Sequence, residues 1–109
     1  MLCHGHDVQG SLVDRETRCV HYHSKLDIIA IKFYCCGLHF PCFSCHEESG
    51  CGHPAVWPKE RFNEKAILCG ACGCEMTVEQ YMSCHSECPS CRAKFNPGCN
   101  LHKAYYFEV

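Results

Sequence analysis

A run of twelve residues in the first half of the chain, from Cys35 to His46, contains four cysteines and two histidines. It includes a C-x-x-C pair, Cys42 and Cys45, that leads directly into His46. A hydrophobic core does not require this density of thiol and imidazole groups, whereas Zn²⁺ is bound by both groups together. The run therefore predicts a fold organised around metal ions.

The composition favours metal ions over disulfides as the main stabilising element. The 109 residues include 14 Cys and 9 His, and only 22 are Leu, Ile, Val or Phe. A chain this short with so few aliphatic residues usually needs disulfides or metals, and a disulfide scaffold has no use for histidine. No secretory signal precedes the first motifs, and the longest apolar run, 28–31, is too short to span a membrane. We therefore expect a reducing compartment, the cytoplasm, in which the thiols bind metal.

The most specific single motif lies in the second half, where Cys69-x2-Cys72 and Cys88-x2-Cys91 are separated by fifteen residues. This spacing falls within the range of zinc sites built from four cysteines. Between the two pairs, the segment 77–83 begins with a capping box and predicts a short helix. We therefore predict one all-cysteine site with a helix between its halves.

The first half of the chain offers less specific signals. The segment 26–34 predicts a strand that leads into Cys35 and Cys36. Adjacent cysteines on a strand point to opposite sides, so they would more naturally serve different ions, unless one is a small buried hydrophobic residue. Cys19 and His21 have C-x-H spacing and can reach one ion together from an extended segment.

These elements predict a small metal-stabilised α+β fold. It would contain zinc knuckles, short strands or hairpins, one or two short helices and little conventional core. We expect residues 1–14 to form a weakly ordered N-terminal segment. Residues 15–109 would form the zinc-binding domain, with two zinc-bound lobes at about 15–56 and 64–109.

The ordered spacings over about residues 12–107 resemble those of the CHY-type zinc finger family, named for the motif that is Cys19, His21 and Tyr22 here. The segments 27–33 and 95–99 are similar to a short branch of the family, which contains the mitochondrial helper of the small Tim proteins and short bacterial relatives. The resemblance implies three zinc ions held by twelve ligands, which are Cys19, His21, Cys35, Cys36, Cys42, Cys45, His46, His53, Cys69, Cys72, Cys88 and Cys91.

Eight of these ligands lie outside the all-cysteine site, and their spacing does not decide how they are shared between two mixed sites. Our assignment places Cys19 and His21 with Cys42 and Cys45 in one site. It leaves the other ion to Cys35, Cys36, His46 and His53.

Six further cysteines and histidines need separate interpretations. Cys99 and His102 could form part of a fourth site or replace a ligand, or they could be a buried thiol and a capping imidazole. The remaining four match no ligand of the family and are interpreted as ordinary cysteines: Cys3, Cys51, Cys74 and Cys84.

The ligand count predicts closed, structural sites, because a catalytic zinc keeps one position open for water. We therefore expect no enzyme activity, and we interpret Glu47 and Glu48 as solvated charges. The formal net charge of −2 and the absence of a Lys/Arg run argue against binding to nucleic acid. The expected function is a zinc-binding structural module that acts through protein partners. The resemblance implies an alternative, a thiol–zinc redox or zinc-handling helper of oxidative protein folding, located in the mitochondrial intermembrane space if the source is eukaryotic.

Overall fold

The computed structural model describes residues 2–50, 55–96 and 106–108. Its strands are β1 (Leu2–Cys3), β2 (His6–Asp7), β3 (Ile29–Lys32), β4 (His39–Phe40), β5 (Lys65–Cys69) and β6 (Glu75–Thr77). Two α-helices follow strands, α1 (Phe43–Glu48) and α2 (Val78–Ser83), and a 3-10 helix spans Lys59–Arg61. The predicted fold class, a small α+β fold with short strands and two short helices, is confirmed.

The central sheet joins the two halves of the chain. Its strand order is β4-β3-β5-β6, and every neighbouring pair is antiparallel. Ile31 of β3 lies opposite both Phe40 of β4 and Ile67 of β5. The predicted lobes 15–56 and 64–109 therefore share backbone hydrogen bonds, and their existence as separate units stays a prediction.

Both faces of the sheet are covered. On one face Ile29, Ile31 and Ile67 belong to the main core, which also contains several cysteines. On the other face Ala30 and Leu68 form a smaller buried cluster with Cys3 and Val8 from the N-terminus. Residues that are buried on both sides explain why β3 and β5 are almost continuously apolar.

The N-terminal hairpin of β1 and β2 covers this second face of the sheet. Val8 forms a parallel bridge with His39, next to the sheet. The His4 Nε2 atom lies 2.6 Å from the Gly70 carbonyl oxygen, so the turn of the hairpin also contacts the loop after β5. The hairpin thus contacts both halves of the domain, while the degree of order of residues 1–14 in solution stays a prediction.

Each helix begins at a residue that the sequence singled out. The Thr77 hydroxyl accepts a hydrogen bond from the Gln80 backbone N–H at 3.0 Å, and the Gln80 side chain accepts one from the Thr77 N–H at 2.9 Å. This reciprocal pair is the predicted capping box of α2. Helix α1 begins after Cys42, whose sulfur accepts a hydrogen bond from the Cys45 N–H at 3.3 Å. A metal-ligand candidate is therefore itself the N-cap.

Residues 106–108 tie the sheet to α1. The Trp57 indole N–H donates to the Lys32 carbonyl at 2.7 Å, and the Trp57 backbone N–H donates to the Tyr106 carbonyl at 2.9 Å. The Tyr106 hydroxyl in turn accepts a hydrogen bond from the Phe43 backbone N–H at 3.2 Å, at the first residue of α1. These contacts fix the orientation of α1. The helix contains two candidate ligands, and a third candidate ligand is its N-cap.

Candidate metal centres

Within the described ranges, three groups of cysteines and histidines place their ligand atoms within 4.8 Å of one another. The first mixed cluster consists of Cys19, His21, Cys42 and Cys45. The second mixed cluster consists of Cys35, Cys36 and His46. The four-cysteine cluster consists of Cys69, Cys72, Cys88 and Cys91.

The first mixed cluster forms where an extended loop meets the start of α1. Cys19 is held by an antiparallel bridge to Leu12, and Cys42 and Cys45 belong to the N-terminal turn of the helix. The His21 Nδ1 atom lies 3.4 Å from the Cys45 sulfur, 3.5 Å from that of Cys42 and 3.9 Å from that of Cys19. One ring nitrogen thus faces all three thiols.

The four-cysteine cluster is built from two knuckles, one after β5 and one after α2. The Cys88 sulfur accepts hydrogen bonds from the backbone N–H groups of Ser90 at 3.4 Å and Cys91 at 3.5 Å. Such N–H groups stabilise thiolates, which are the form of cysteine that binds metal. Cys69 and Cys88 are buried, whereas Cys72 and Cys91 are exposed. The cluster therefore has one side at the surface.

The second mixed cluster lies at the turn that follows β3. The Cys35 sulfur is 3.1 Å from the His46 Nε2 atom, and Cys36 belongs to the same group. Adjacent cysteines would point to opposite sides if a strand continued through them, whereas here both belong to the group that our assignment gave to one ion. Strand β3 ends at Lys32, and the Gly37 N–H donates to the Phe33 carbonyl across a turn, so both thiols reach one side.

The separations within the clusters match the donor geometry of zinc. Zn–S bonds of about 2.3 Å in a tetrahedron place two sulfurs about 3.8 Å apart. The Cys19 and Cys42 sulfurs are 3.7 Å apart, those of Cys72 and Cys88 are 3.7 Å apart, and those of Cys69 and Cys91 are 3.8 Å apart. The residues therefore fit Zn²⁺ in both donor chemistry and spacing.

Without a cation the thiols of the first mixed cluster compete for protons. The hydrogen bond between the Cys19 and Cys42 sulfurs lowers the pKa of Cys19 to about 5, although burial acts in the opposite direction. The same hydrogen bond, together with burial, raises the pKa of Cys42, and burial raises the pKa of Cys45. The Cys19 thiolate and the Glu48 carboxylate raise the pKa of His21. One negative charge is thus stabilised readily, and further thiolates require a cation.

The four-cysteine cluster shows the same asymmetry. Burial opposes ionisation of Cys88, but the N–H groups of Cys91 and Ser90 outweigh it and lower the pKa of Cys88 to about 7. Burial raises the pKa of the Cys69 thiol, in spite of hydrogen bonds from the backbone of Cys72 and Ala71. A divalent cation would relieve this competition by stabilising all the thiolates at once.

The two mixed clusters border a common cavity of about 420 Å³. Cys36 of the second mixed cluster and Cys45 of the first both line it. Glu48 and Ser49, at the end of α1, form part of its wall. Ligands of both clusters therefore lie at the wall of one cavity.

The other cysteine and histidine candidates do not converge in the described residues. Cys3 is buried beneath the sheet, His4 contacts the Gly70 carbonyl, and the His6 Nε2 atom lies 3.2 Å from a Glu75 carboxylate oxygen. The Cys84 thiol donates to the Tyr81 carbonyl at 3.1 Å, and the Cys74 thiol donates to the Glu75 carbonyl at 3.7 Å. The remaining candidates lie outside the described residues: Cys51, His53, Cys99 and His102.

Two residues that contact the candidate ligands were not found from the sequence. Glu48, interpreted as a solvated charge, accepts a hydrogen bond from the His21 Nε2–H at 2.8 Å. Phe33 stacks on the His46 ring. The i, i+3 spacing of Cys45 and Glu48 on α1 could have suggested the first contact, because it places both on one helix face. The second depends on how α1 packs against β3, for which the sequence has no local signal.

Comparison with known proteins gives the same family as the motifs. The model of the CHY zinc finger matches residues 19–97. The chain belongs to the CHY zinc finger family. The predicted resemblance is thereby confirmed, together with the assignment as a CHY-type zinc finger with metal-binding Cys/His clusters.

Three fungal relatives match almost the whole chain. The uncharacterized protein C29B12.12 of Schizosaccharomyces pombe is 46% identical over 103 residues, which cover 94% of this chain and 89% of the relative. The proteins named Helper of Tim protein 13 from Kluyveromyces lactis and Saccharomyces cerevisiae are each 42% identical, covering 92% and 93% of this chain and 87% and 90% of the relatives. No solved structure gives a significant match. Across the described ranges, no helix has the length and apolar character needed to cross a membrane.

Proposed function

We propose that the chain is a structural zinc module that holds three Zn²⁺ ions and acts by binding a protein partner. The observation that supports this proposal best is the convergence of the candidate ligands into three separate clusters. In two of them, sulfur separations of 3.7–3.8 Å equal the edge of a zinc–thiolate tetrahedron. In the second mixed cluster, the family resemblance supplies His53 as the fourth ligand.

The role of zinc in this proposal is to supply folding free energy. Bound Zn²⁺ offsets the repulsion between the thiolates and links segments that are distant in sequence, with a contribution of about 10 kcal/mol or more per structural site. Four ligands around each ion leave no position for a substrate, so we propose no catalytic role. The residues of the clusters would position loops and helices rather than reacting atoms.

Native mass spectrometry combined with circular dichroism tests this proposal. Protein purified under reducing conditions should carry three zinc ions, and a strong chelator should remove them and abolish the secondary structure. Intramolecular disulfides in place of metal, or an intact fold after complete chelation, would contradict the proposal. A stoichiometry of two would remove one of the mixed clusters from it.

The proposed partner is another protein rather than a nucleic acid or a membrane. The net charge of −2 lacks the positive excess that phosphate backbones attract. Thiolate-bound zinc adds further negative charge. Electrophoretic mobility assays with single- and double-stranded DNA and RNA at low salt should show no binding, and salt-dependent binding would contradict this part of the proposal.

A second candidate function is zinc or thiol handling during oxidative protein folding. It is supported by the exposure of Cys72 and Cys91 and by the cavity that reaches Cys36 and Cys45. The family resemblance implies this role for the mitochondrial helper of the small Tim proteins, and two relatives of this chain are named Helper of Tim protein 13. Ready loss of one zinc ion in three to a weak chelator or a mild oxidant would favour this function. Retention of all three ions would exclude it.

The proposed location follows from these alternatives. A structural module with reduced thiols fits the cytoplasm. If the source is eukaryotic, the family resemblance implies the mitochondrial intermembrane space instead. Fractionation of the source cells, with detection of the native protein, distinguishes the two.

A further inference from the structure

We propose that Glu48 is a positioning residue that holds the His21 imidazole in the orientation and tautomer required for metal binding. This inference rests on the proposed zinc site at the first mixed cluster. Neither the motif spacings nor the family resemblance assigns a role to this carboxylate.

The two nitrogens of the His21 ring have different partners. Nδ1 faces the sulfurs of Cys45, Cys42 and Cys19 at 3.4, 3.5 and 3.9 Å. Nε2 lies 2.8 Å from a carboxylate oxygen of Glu48. An ionised carboxylate only accepts hydrogen bonds, so the ring proton resides on Nε2. The lone pair of Nδ1 is then directed toward the sulfurs, where a metal ion would bind.

Helix α1 places this carboxylate with the ligands that it supports. Cys45 and Glu48 are three residues apart on one face of α1, and Cys42, three residues before Cys45, is the N-cap of the helix. His21 is 27 residues away from Glu48 in the chain and belongs to a separate loop. The contact therefore joins the loop to the helix through the imidazole. In metal sites, carboxylates that accept from a ligating histidine fix its ring orientation, and their loss weakens metal affinity roughly 10- to 100-fold.

The exposure of the pair indicates that its effect lies in ligand orientation rather than in overall stability. The Glu48 side chain is 58% exposed and that of His21 is 23% exposed. Exposed ion pairs contribute little to the free energy of folding. Loss of the carboxylate should consequently leave the fold intact while it weakens one zinc site.

The second mixed cluster provides an internal contrast. The His46 Nε2 atom faces the Cys35 sulfur, and its buried Nδ1 atom has no hydrogen-bond partner among the described residues. Stacking on Phe33 and an edge contact with Phe40 hold this ring instead. Within the described part of the chain, the two histidines are thus oriented by different means, His21 by a carboxylate and His46 by aromatic rings.

Glu47 supplies a matched control on the same helix. Its side chain is exposed and makes no hydrogen bond to any described residue. The variants E48A, E48D and E47A would be loaded with Zn²⁺ and titrated with a competing chelator. Histidine-selective ¹⁵N NMR would follow the His21 ring.

We expect E48A to weaken the affinity for one zinc ion in three by roughly 10- to 100-fold. The hydrogen-bonded Nε2–H signal of His21 should disappear in the same variant. E48D should restore part of the affinity and of the signal, and E47A should match the wild type. If the wild type binds three zinc ions, a zinc affinity equal to that of the wild type and an unchanged His21 spectrum in E48A would overturn the inference. If the wild type binds no zinc, the failure is that of the proposed function.

Discussion

The Phe33 ring lies parallel to the His46 imidazole, with ring centroids 4.0 Å apart and planes inclined by 5°. Phe33 follows directly after β3, and His46 lies in the middle of α1. The stacked pair therefore connects the hydrophobic core to the second mixed cluster. Both rings are almost fully buried.

The variant F33L tests this coupling. Leucine keeps most of the apolar volume but removes the aromatic contact, which is worth about 1 kcal/mol beyond area burial. We expect the zinc ion of the second mixed cluster to be released to a chelator roughly fivefold more readily. The control is F62L, since the ring of Phe62 contacts that of Phe107. Equal release from both variants would contradict a specific role for the stacking.

The variants C88S and C74S separate a ligand from a neighbouring cysteine. Cys88 is buried within the four-cysteine cluster, whereas Cys74 lies next to that cluster and donates to the Glu75 carbonyl. Because a serine hydroxyl replaces thiolate poorly on zinc, C88S should carry two zinc ions instead of three. C74S should carry three. Native mass spectrometry distinguishes the two results, and loss of zinc from C74S would add Cys74 to the site.

The variant G70A tests how the N-terminal half is packed against the start of the four-cysteine cluster. A Cβ atom at Gly70 would lie 2.1 Å from the Glu16 carbonyl oxygen and 2.8 Å from that of Ile28. Because these are backbone atoms, the clash requires the chain to shift, and we expect a destabilisation of about 3 kcal/mol. Urea unfolding of the zinc-loaded protein measures it.

The control for this variant is G50A. Gly50 has a positive φ of 73°, but a Cβ atom there would meet no described residue within 4 Å. The strain of the left-handed conformation alone should cost about 1 kcal/mol. Equal destabilisation of G70A and G50A would contradict the close approach between Gly70 and Glu16.

Zinc affinity should rise with pH. The pKa values of Cys42, Cys45 and Cys69 are raised in the metal-free protein, Cys42 by its hydrogen bond with Cys19 and by burial, the other two by burial. These thiols are therefore protonated at neutral pH. Thiols of an unfolded chain are also mostly protonated at this pH, because the ordinary cysteine pKa is about 8.5. Zinc must displace their protons, so acidification favours release.

Isothermal titration calorimetry in buffers of different ionisation enthalpy measures the number of displaced protons. The observed enthalpy should depend on the buffer, and the affinity should increase steadily between pH 6 and about 8, below the ordinary thiol pKa. Affinity that is independent of pH in this range would mean that the thiols are already ionised, contrary to the burial of Cys45 and Cys69.

Local sequence patterns determined several parts of this protein. The spacing of Cys69, Cys72, Cys88 and Cys91 is short enough for two knuckles to meet, and the structure brings the four together. The capping box at Thr77 specified where α2 begins, because its hydrogen bonds involve only neighbouring residues. The CHY-type pattern could also be recognised from the sequence, because it consists of intervals between cysteines and histidines along the chain.

Tertiary structure decided the relationships between distant segments. It placed Cys35 and Cys36 in one cluster, because the chain turns there instead of continuing as a strand. It set Glu48 against His21 and Phe33 against His46, contacts that depend on where α1 lies relative to a loop and to β3. Ligand spacing restricts which residues can share an ion, whereas the surroundings of each ligand follow from packing between elements, which no local pattern encodes.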